Sequence, residues 1–257
     1  MGLRTGIEWT DATWNPVTGC TKVTAGCDHC YAETLAKKRL YHIYTRRVPV
    51  INTPANRADP FAVRLWPERL DHPRTWAAPR MVFVNSMSDL FHHDVPDEFV
   101  VRVFEVMLQT DRHIYQVLTK RPARAVRFWK KFRDMLGRAA IPPHIWMGTS
   151  VENQEVDYRV RQLGDLPARI RFLSCEPLLG SIELDLRGIH WVIAGGESGS
   201  GRRVMEPGWV ETIRDQCLRA RVPFFFKQWG GRTPKAGGRE LGGREWSQLP
   251  SVSATVA

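Results

Sequence analysis

Between residues 81 and 228 the chain repeats one arrangement: an unbroken apolar run, a polar or glycine-containing turn, then a stretch with helical spacing. The runs are MVFVNS (81–86), IYQVLT (114–119), IWMGTS (145–150), RIRFLS (169–174), IHWVIAGG (189–196) and VPFFFKQ (222–228). Helices are predicted at about 97–109, 122–136, 152–163 and 207–220. A further strand is expected around Asn15 to Thr18, before a helix from about Tyr31 to Leu40. Runs that are apolar along their whole length, not at alternate positions, are strands buried on both faces. Their alternation with helices argues for an α/β fold with a parallel sheet. It would be a complete or partial (β/α) TIM-like barrel or an open doubly wound sheet. No glycine-rich dinucleotide fingerprint follows an early strand, which argues against the Rossmann form.

Residues 1–230 are read as a single barrel domain, a size ordinary for such a fold. An insertion rich in Arg, Pro and Trp interrupts it at about 44–80, and residues 231–257 are expected to be a flexible C-terminal tail. No apolar run reaches the ~18 residues of a membrane span. The N-terminus lacks the basic-then-apolar pattern of a secretory signal, so a cytoplasmic location is expected. The chain carries 37 basic and 27 acidic residues, a net charge of +10. That excess attracts polyanions, and nucleic acid, DNA ahead of RNA, is the expected partner. Arg46, Arg47, Arg57, Arg64, Trp66, Arg69, Arg74, Trp76 and Arg80 interleave cations with aromatic rings, a combination that suits phosphates and exposed bases. Trp129, at core spacing on a basic helix, is read as packing.

Of five cysteines, Cys20, Cys27 and Cys30 crowd into TGCTKVTAGCDHCYAE, while Cys175 and Cys217 stand alone. An odd count without a secretory signal argues against a disulfide framework. Thiolates are soft ligands that suit iron–sulfur clusters or zinc. A structural zinc needs a fourth ligand, for which His29 is the nearby candidate. A cubane cluster held by three cysteines keeps one iron open for a substrate or cofactor.

In a barrel, the polar residues ending each strand meet over one face. Those are Ser86, Ser88 and Asp89; Thr119, Lys120 and Arg121; Ser150 and Glu152; Cys175 and Glu176; Gly195, Gly196 and Glu197; and Lys227. Singly, each reads as readily as a cap or turn residue. Together they suit a zwitterionic cofactor and a polar substrate.

Three cysteines, the last two spaced CxxC and followed by an aromatic residue after the first barrel strand, resemble the radical S-adenosylmethionine superfamily. The usual three-residue first gap is here six. The resemblance implies a barrel of the radical S-adenosylmethionine type. It also implies a [4Fe–4S] cluster on Cys20, Cys27 and Cys30, with S-adenosyl-L-methionine chelated by the open iron. Reductive cleavage of that cofactor needs a reductant protein such as a flavodoxin or ferredoxin. By the same resemblance Tyr31 lies near the adenine, Ser86, Ser88 and Asp89 near the ammonium, and Ser150 and Glu152 near the ribose. Thr119 and Lys120 complete the cofactor set, and Cys175, Glu176, Glu197 and Lys227 are the candidate catalytic residues. Gly195-Gly196-Glu197 matches the superfamily's glycine–glycine–glutamate motif but follows a late strand, so a glycine turn admitting substrate is the equal alternative.

Over nearly its whole length the chain also resembles an uncharacterised phage-associated three-cysteine-motif family. IEWTDATWNPVTGC, CDHCYAE, SMSDLFH, LTKRP, GTSVEN, EPLLG, GGESG and FFKQWG carry this likeness. Members of that family look distantly similar to spore photoproduct lyase, which acts on thymine dimers. There a cysteine donates hydrogen, a role open to Cys175, although a small buried core residue is its more ordinary reading. The leading expectation is a radical enzyme for DNA repair or base modification. The alternatives are a nucleic-acid-binding module with structural zinc or an inert cluster, and a radical enzyme acting on a small molecule or peptide.

Overall fold

The structure, a computed structural model, describes residues 5–233 and 235–251. The first part of the chain forms β1 (Ala12–Trp14), β2 (Val17–Thr18), α1 (Tyr31–Lys38), α2 (Tyr41–Tyr44), α3 (Pro54–Ala58) and β3 (Arg64–Leu65). Strand and helix then alternate through β4 (Met81–Val84), α4 (Asp97–Gln109), β5 (Ile114–Thr119), α5 (Pro122–Phe132), β6 (Ile145–Ser150) and α6 (Tyr158–Gly164). The remainder is β7 (Arg171–Cys175), β8 (Trp191–Gly195), α7 (Pro207–Ala220), β9 (Phe224–Gln228) and a small hairpin of β10 (Glu240–Leu241) and β11 (Arg244–Glu245).

Seven strands form one parallel sheet in the order β1-β4-β5-β6-β7-β8-β9. Because each connection steps the same way, right-handed crossovers place α4 to α7 on one face. Val100, Phe104, Phe128, Trp129, Val160 and Ile213 fill that layer against Val84, Val117, Met147, Leu173 and Phe224. The other face curls on itself. Trp9 plugs it, its ring 4.7 Å from Phe83 on the second strand and 6.0 Å from Trp191 on the sixth. Trp146, Phe172 and Phe225 complete this inner cluster. The fold is therefore a curled α/β half-barrel, the partial form of the expected architecture.

Three expectations need correction. The first sheet strand is Ala12–Trp14, whereas Val17–Thr18 pairs antiparallel with Arg64–Leu65. Pro16 has no N–H for a ladder, and Asn15 Oδ1 accepts from Met87 N at 3.0 Å, so the strand stops and the chain turns. In the insertion, the fully buried Arg64 donates to the carbonyls of Arg47, Ala62 and Asn56. Arg69 stacks 3.7 Å from the Trp66 ring centroid and donates to Asn15 O. Those two cations and Trp66 hold the insertion together instead of facing phosphates.

Finally, part of the expected loose tail packs. Leu241 and Trp246 are buried, and residues 246–248 pair with the last strand through Phe226 N to Trp246 O (2.9 Å) and Gln248 N to Phe224 O (3.2 Å). This covers an open sheet edge whose backbone groups would otherwise lack partners. Residues 1–4, Pro234 and 252–257 of the N-terminal and tail readings lie outside the described residues.

Candidate functional site

The cysteine loop leaves β2 through Gly19, whose φ of +85° and close approach to the insertion exclude a side chain: a Cβ there would lie 2.1 Å from Ala62 O. Cys20 N then donates to Phe61 O at 3.1 Å. Cys27 ends a single 3-10 turn and Cys30 caps α1. All three are partly buried free thiols on one loop, and Cys20 and Cys30 pack against the same apolar cluster. Burial, then the charge of Asp89, pushes the Cys20 thiol up to about 11.

His29 Nδ1 lies 2.8 Å from Glu197 Oε2, which orients the ring and leaves its Nε2 for another partner. Zinc at ~2.3 Å from each sulfur of a tetrahedral site holds the sulfurs ~3.8 Å apart. Among the described residues only His92, His93 and Asp94 bring three ligand atoms within 4.8 Å of one another. The three cysteine sulfurs are not such a group; a cubane cluster takes three thiolates, each on its own iron.

Two glutamates fasten the loop. Glu152, just after β6, accepts from Thr24 Oγ1 (3.1 Å) and from Lys120, and pairs with Arg159 at 2.9 Å. A Cβ on Gly26 would fall 2.5 Å from the Glu152 side chain, so glycine lets the loop rest against it. Burial opposes the charge of Glu152, yet Lys120 and Arg159 outweigh it and hold the carboxyl below its ordinary value. Glu197, after β8, accepts from His29 and from Arg203 through its backbone N (2.8 Å), Nε (3.1 Å) and Nη2 (2.7 Å). Arg203 also reaches Ala25 O at 2.9 Å, so this second clamp grips the loop twice.

Strand parity sorts the remaining candidates. Trp146 and Phe172 face the concave side, so Ser150 and Ser174 do as well. Beyond β7, Glu176 turns to the same side, where its Oε1 meets Lys227 Nζ at 3.0 Å and its Oε2 accepts from Ser174 at 3.3 Å. Lys120 follows the parity of Leu118. Tyr31 donates to Ser86 O, and the residue is about half exposed. Ser86, Ser88, Asp89 and Thr119 are engaged within the protein. Ser86 pairs with Asn15, and Ser88 donates to Val17 O at 2.9 Å. Asp89 accepts from Thr119 Oγ1, Phe91 N, Lys120 N and Arg121 Nη1.

Cys175 requires a correction. It has the parity of Leu173, packs fully buried in the helix-side core near Cys217, and burial pushes its thiol well above the usual range. It faces away from the cleft where a hydrogen donor would be needed. Cys217 is likewise buried.

A family model described as "Protein of unknown function (DUF5131)" matches residues 4–250. The chain belongs to this family. No curated protein matches the DUF5131 chain. Among solved structures it is similar to spore photoproduct lyase complexed with dinucleoside spore photoproduct, with a TM-score of 0.44 and 11% identity. That match covers 85% of this chain and 66% of the lyase chain, just under two thirds of the latter's length. In the DUF5131 chain no described helix is long and apolar enough to cross a membrane.

Sequence reasoning left Arg159, Arg203 and His29 unassigned as anchors. Glu152 precedes α6 and Arg159 lies within it, so no helical spacing relates the two, and nothing local marks Arg203. Glu197 supplies a pH test. Hydrogen bonds from Arg203 and His29 overcome the effect of burial and hold its carboxyl at about 2 against an ordinary 4.5. Its contribution to stability is therefore complete above the ordinary value and disappears as pH falls toward about 2. Thermal melting from pH 6 down to pH ~2 is expected to fall more steeply for the native protein than for Glu197→Gln. Parallel curves would refute this.

Proposed function

We propose that this DUF5131 protein is an iron–sulfur enzyme that uses S-adenosylmethionine for radical chemistry on nucleic acid. The observation that carries the reading is the donor set: three free thiols on one clamped loop, beside the carboxyl ends of a parallel half-barrel. Cys20, Cys27 and Cys30 would hold the cluster. Bound there, a [4Fe–4S] cluster with S-adenosylmethionine supplies a single electron, drawn from a flavodoxin- or ferredoxin-like reductant, for hydrogen-abstracting radical chemistry.

The chain's own residues bind, orient and shield. The half-exposed Tyr31 offers a stacking face for adenine, and Lys120 and Ser150 line the concave face where the cofactor's polar groups would lie. The Glu176–Lys227 pair, steadied by Ser174, offers one acceptor and one donor to a polar substrate. Beneath them Trp9, Phe83, Trp146, Phe172 and Trp191 close the barrel floor to water. Nucleic acid as substrate rests on the net charge of +10 and on exposed Arg202, Arg232 and Lys235 in the loops after β8 and β9.

Anaerobic reconstitution tests this reading. Stoichiometric iron and sulfide, and dithionite-dependent cleavage of S-adenosylmethionine to methionine, are expected, together with DNA or RNA binding that weakens steeply with salt. One tightly bound zinc without iron would overturn the proposal. Cofactor cleavage without any nucleic-acid binding would restrict the substrate to a small molecule or peptide.

A further inference from the structure

Cys27 and Cys30 belong to one continuous turn-and-cap segment, so local backbone geometry relates their sulfurs. Cys20 lies six residues upstream of Cys27, and only tertiary contacts can set its place. Its backbone N is held by Phe61 O, and its sulfur meets Arg121, the residue preceding α5. Its Nη1 lies 3.6 Å from Cys20 Sγ and 2.9 Å from Asp89 Oδ2, while its Nη2 donates to Thr21 O (3.1 Å) and Thr21 Oγ1 (3.3 Å). Thr21 Oγ1 is also 2.7 Å from Nε2 of the fully buried His92. The guanidinium is itself oriented, because Arg121 N donates to Thr119 Oγ1 at 2.9 Å and Asp89 holds Nη1. With its side chain only 15% exposed, Arg121 is a fixed bracket and not a surface cation.

We infer that Arg121 is a positioning residue for Cys20: it locates that ligand and places a positive charge and an N–H donor beside its sulfur. The inference rests on the iron–sulfur reading above. Its fork geometry is what lets one side chain span a carboxylate, a carbonyl and a sulfur; an ammonium cannot span all three. Reduction adds negative charge to a cluster, so a cation and a donor at a ligand sulfur favour the reduced form.

The test uses Arg121→Met and Arg121→Lys in the full chain. Asp89 keeps Thr119, Phe91 N and Lys120 N in either variant, so the fold is expected to persist. In the metal-free protein, hydrogen exchange over residues 19–24 should quicken at least ~10-fold in both variants, as expected for a locally opened segment, while residues 31–38 stay unchanged. In the reconstituted protein, the midpoint potential should move negative in Arg121→Met and largely recover in Arg121→Lys, which retains the charge. Unchanged exchange in Arg121→Met overturns the positioning role, whether or not iron binds. An unchanged potential overturns the electrostatic role. A native protein that takes up no iron defeats the proposed function instead, and the exchange data still decide on Arg121.

Discussion

Cys27→Ala should take up essentially no cluster and lose cofactor cleavage altogether, while its metal-free form melts within a degree or two of the native chain. Both halves follow from its surroundings. Cys27 ends a single 3-10 turn in which no residue is buried, and its thiol makes no hydrogen bond among the described residues. Losing such a side chain is worth about 0.5 kcal/mol or less. Yet it is one of three thiols on the loop, and no other cysteine can replace it, because Cys175 and Cys217 are buried in the helix-side core. Iron and sulfide analysis beside calorimetry of the metal-free chain checks both parts. A structural zinc site would behave differently, because metal affinity there is folding free energy and the holo-protein would lose stability with its ligand. Retention of native iron by Cys27→Ala would remove that residue from the ligand set.

Glu152→Ala should produce the largest loss of stability. Its side chain is 2% exposed and pairs with Arg159, which is 1% exposed, as well as with Lys120. Removing the carboxylate leaves a guanidinium buried with only Ser150 O to accept from it. Stranding one partner of a buried pair costs about 3–5 kcal/mol. In a chain of this size that corresponds to a melting temperature lower by roughly 6–20 °C. Cluster loading should fall too, since Thr24 and Gly26 rest on the same carboxylate. The double variant Glu152→Ala/Arg159→Met is expected to recover stability, because it removes the stranded charge along with its partner. A single variant melting within ~2 °C of native would show that the pair is dispensable.

Much of the architecture could be read along the chain. The helices at 97–109 and 207–220 and the strands at 114–119 and 145–150 have the expected bounds, because each is set by its own apolar spacing and turn residues. The first strand was misplaced because Val17 and Thr18 look like strand residues, and only the pairing with Arg64 and Leu65 reveals which sheet they serve. The tail was misjudged for a similar reason. Its glycines suggest looseness, and nothing local announces that Trp246 will cover the edge of β9.

The candidate site divides along the same line. That Cys20, Cys27 and Cys30 share one neighbourhood was legible from sequence, because residues on one short loop must lie near one another, wherever that loop sits. What the strand-end residues do was not legible. Cys175 and Glu176 are adjacent, yet one faces the helices and the other the cleft, a matter of sheet parity. The contacts that shape the loop, Cys20 with Arg121, Thr24 with Glu152 and His29 with Glu197, join residues 101, 128 and 168 positions apart. Periodicity and spacing report only on neighbours along the chain. Which carboxylate meets which cation is decided when the half-barrel closes and brings the ends of its strands together.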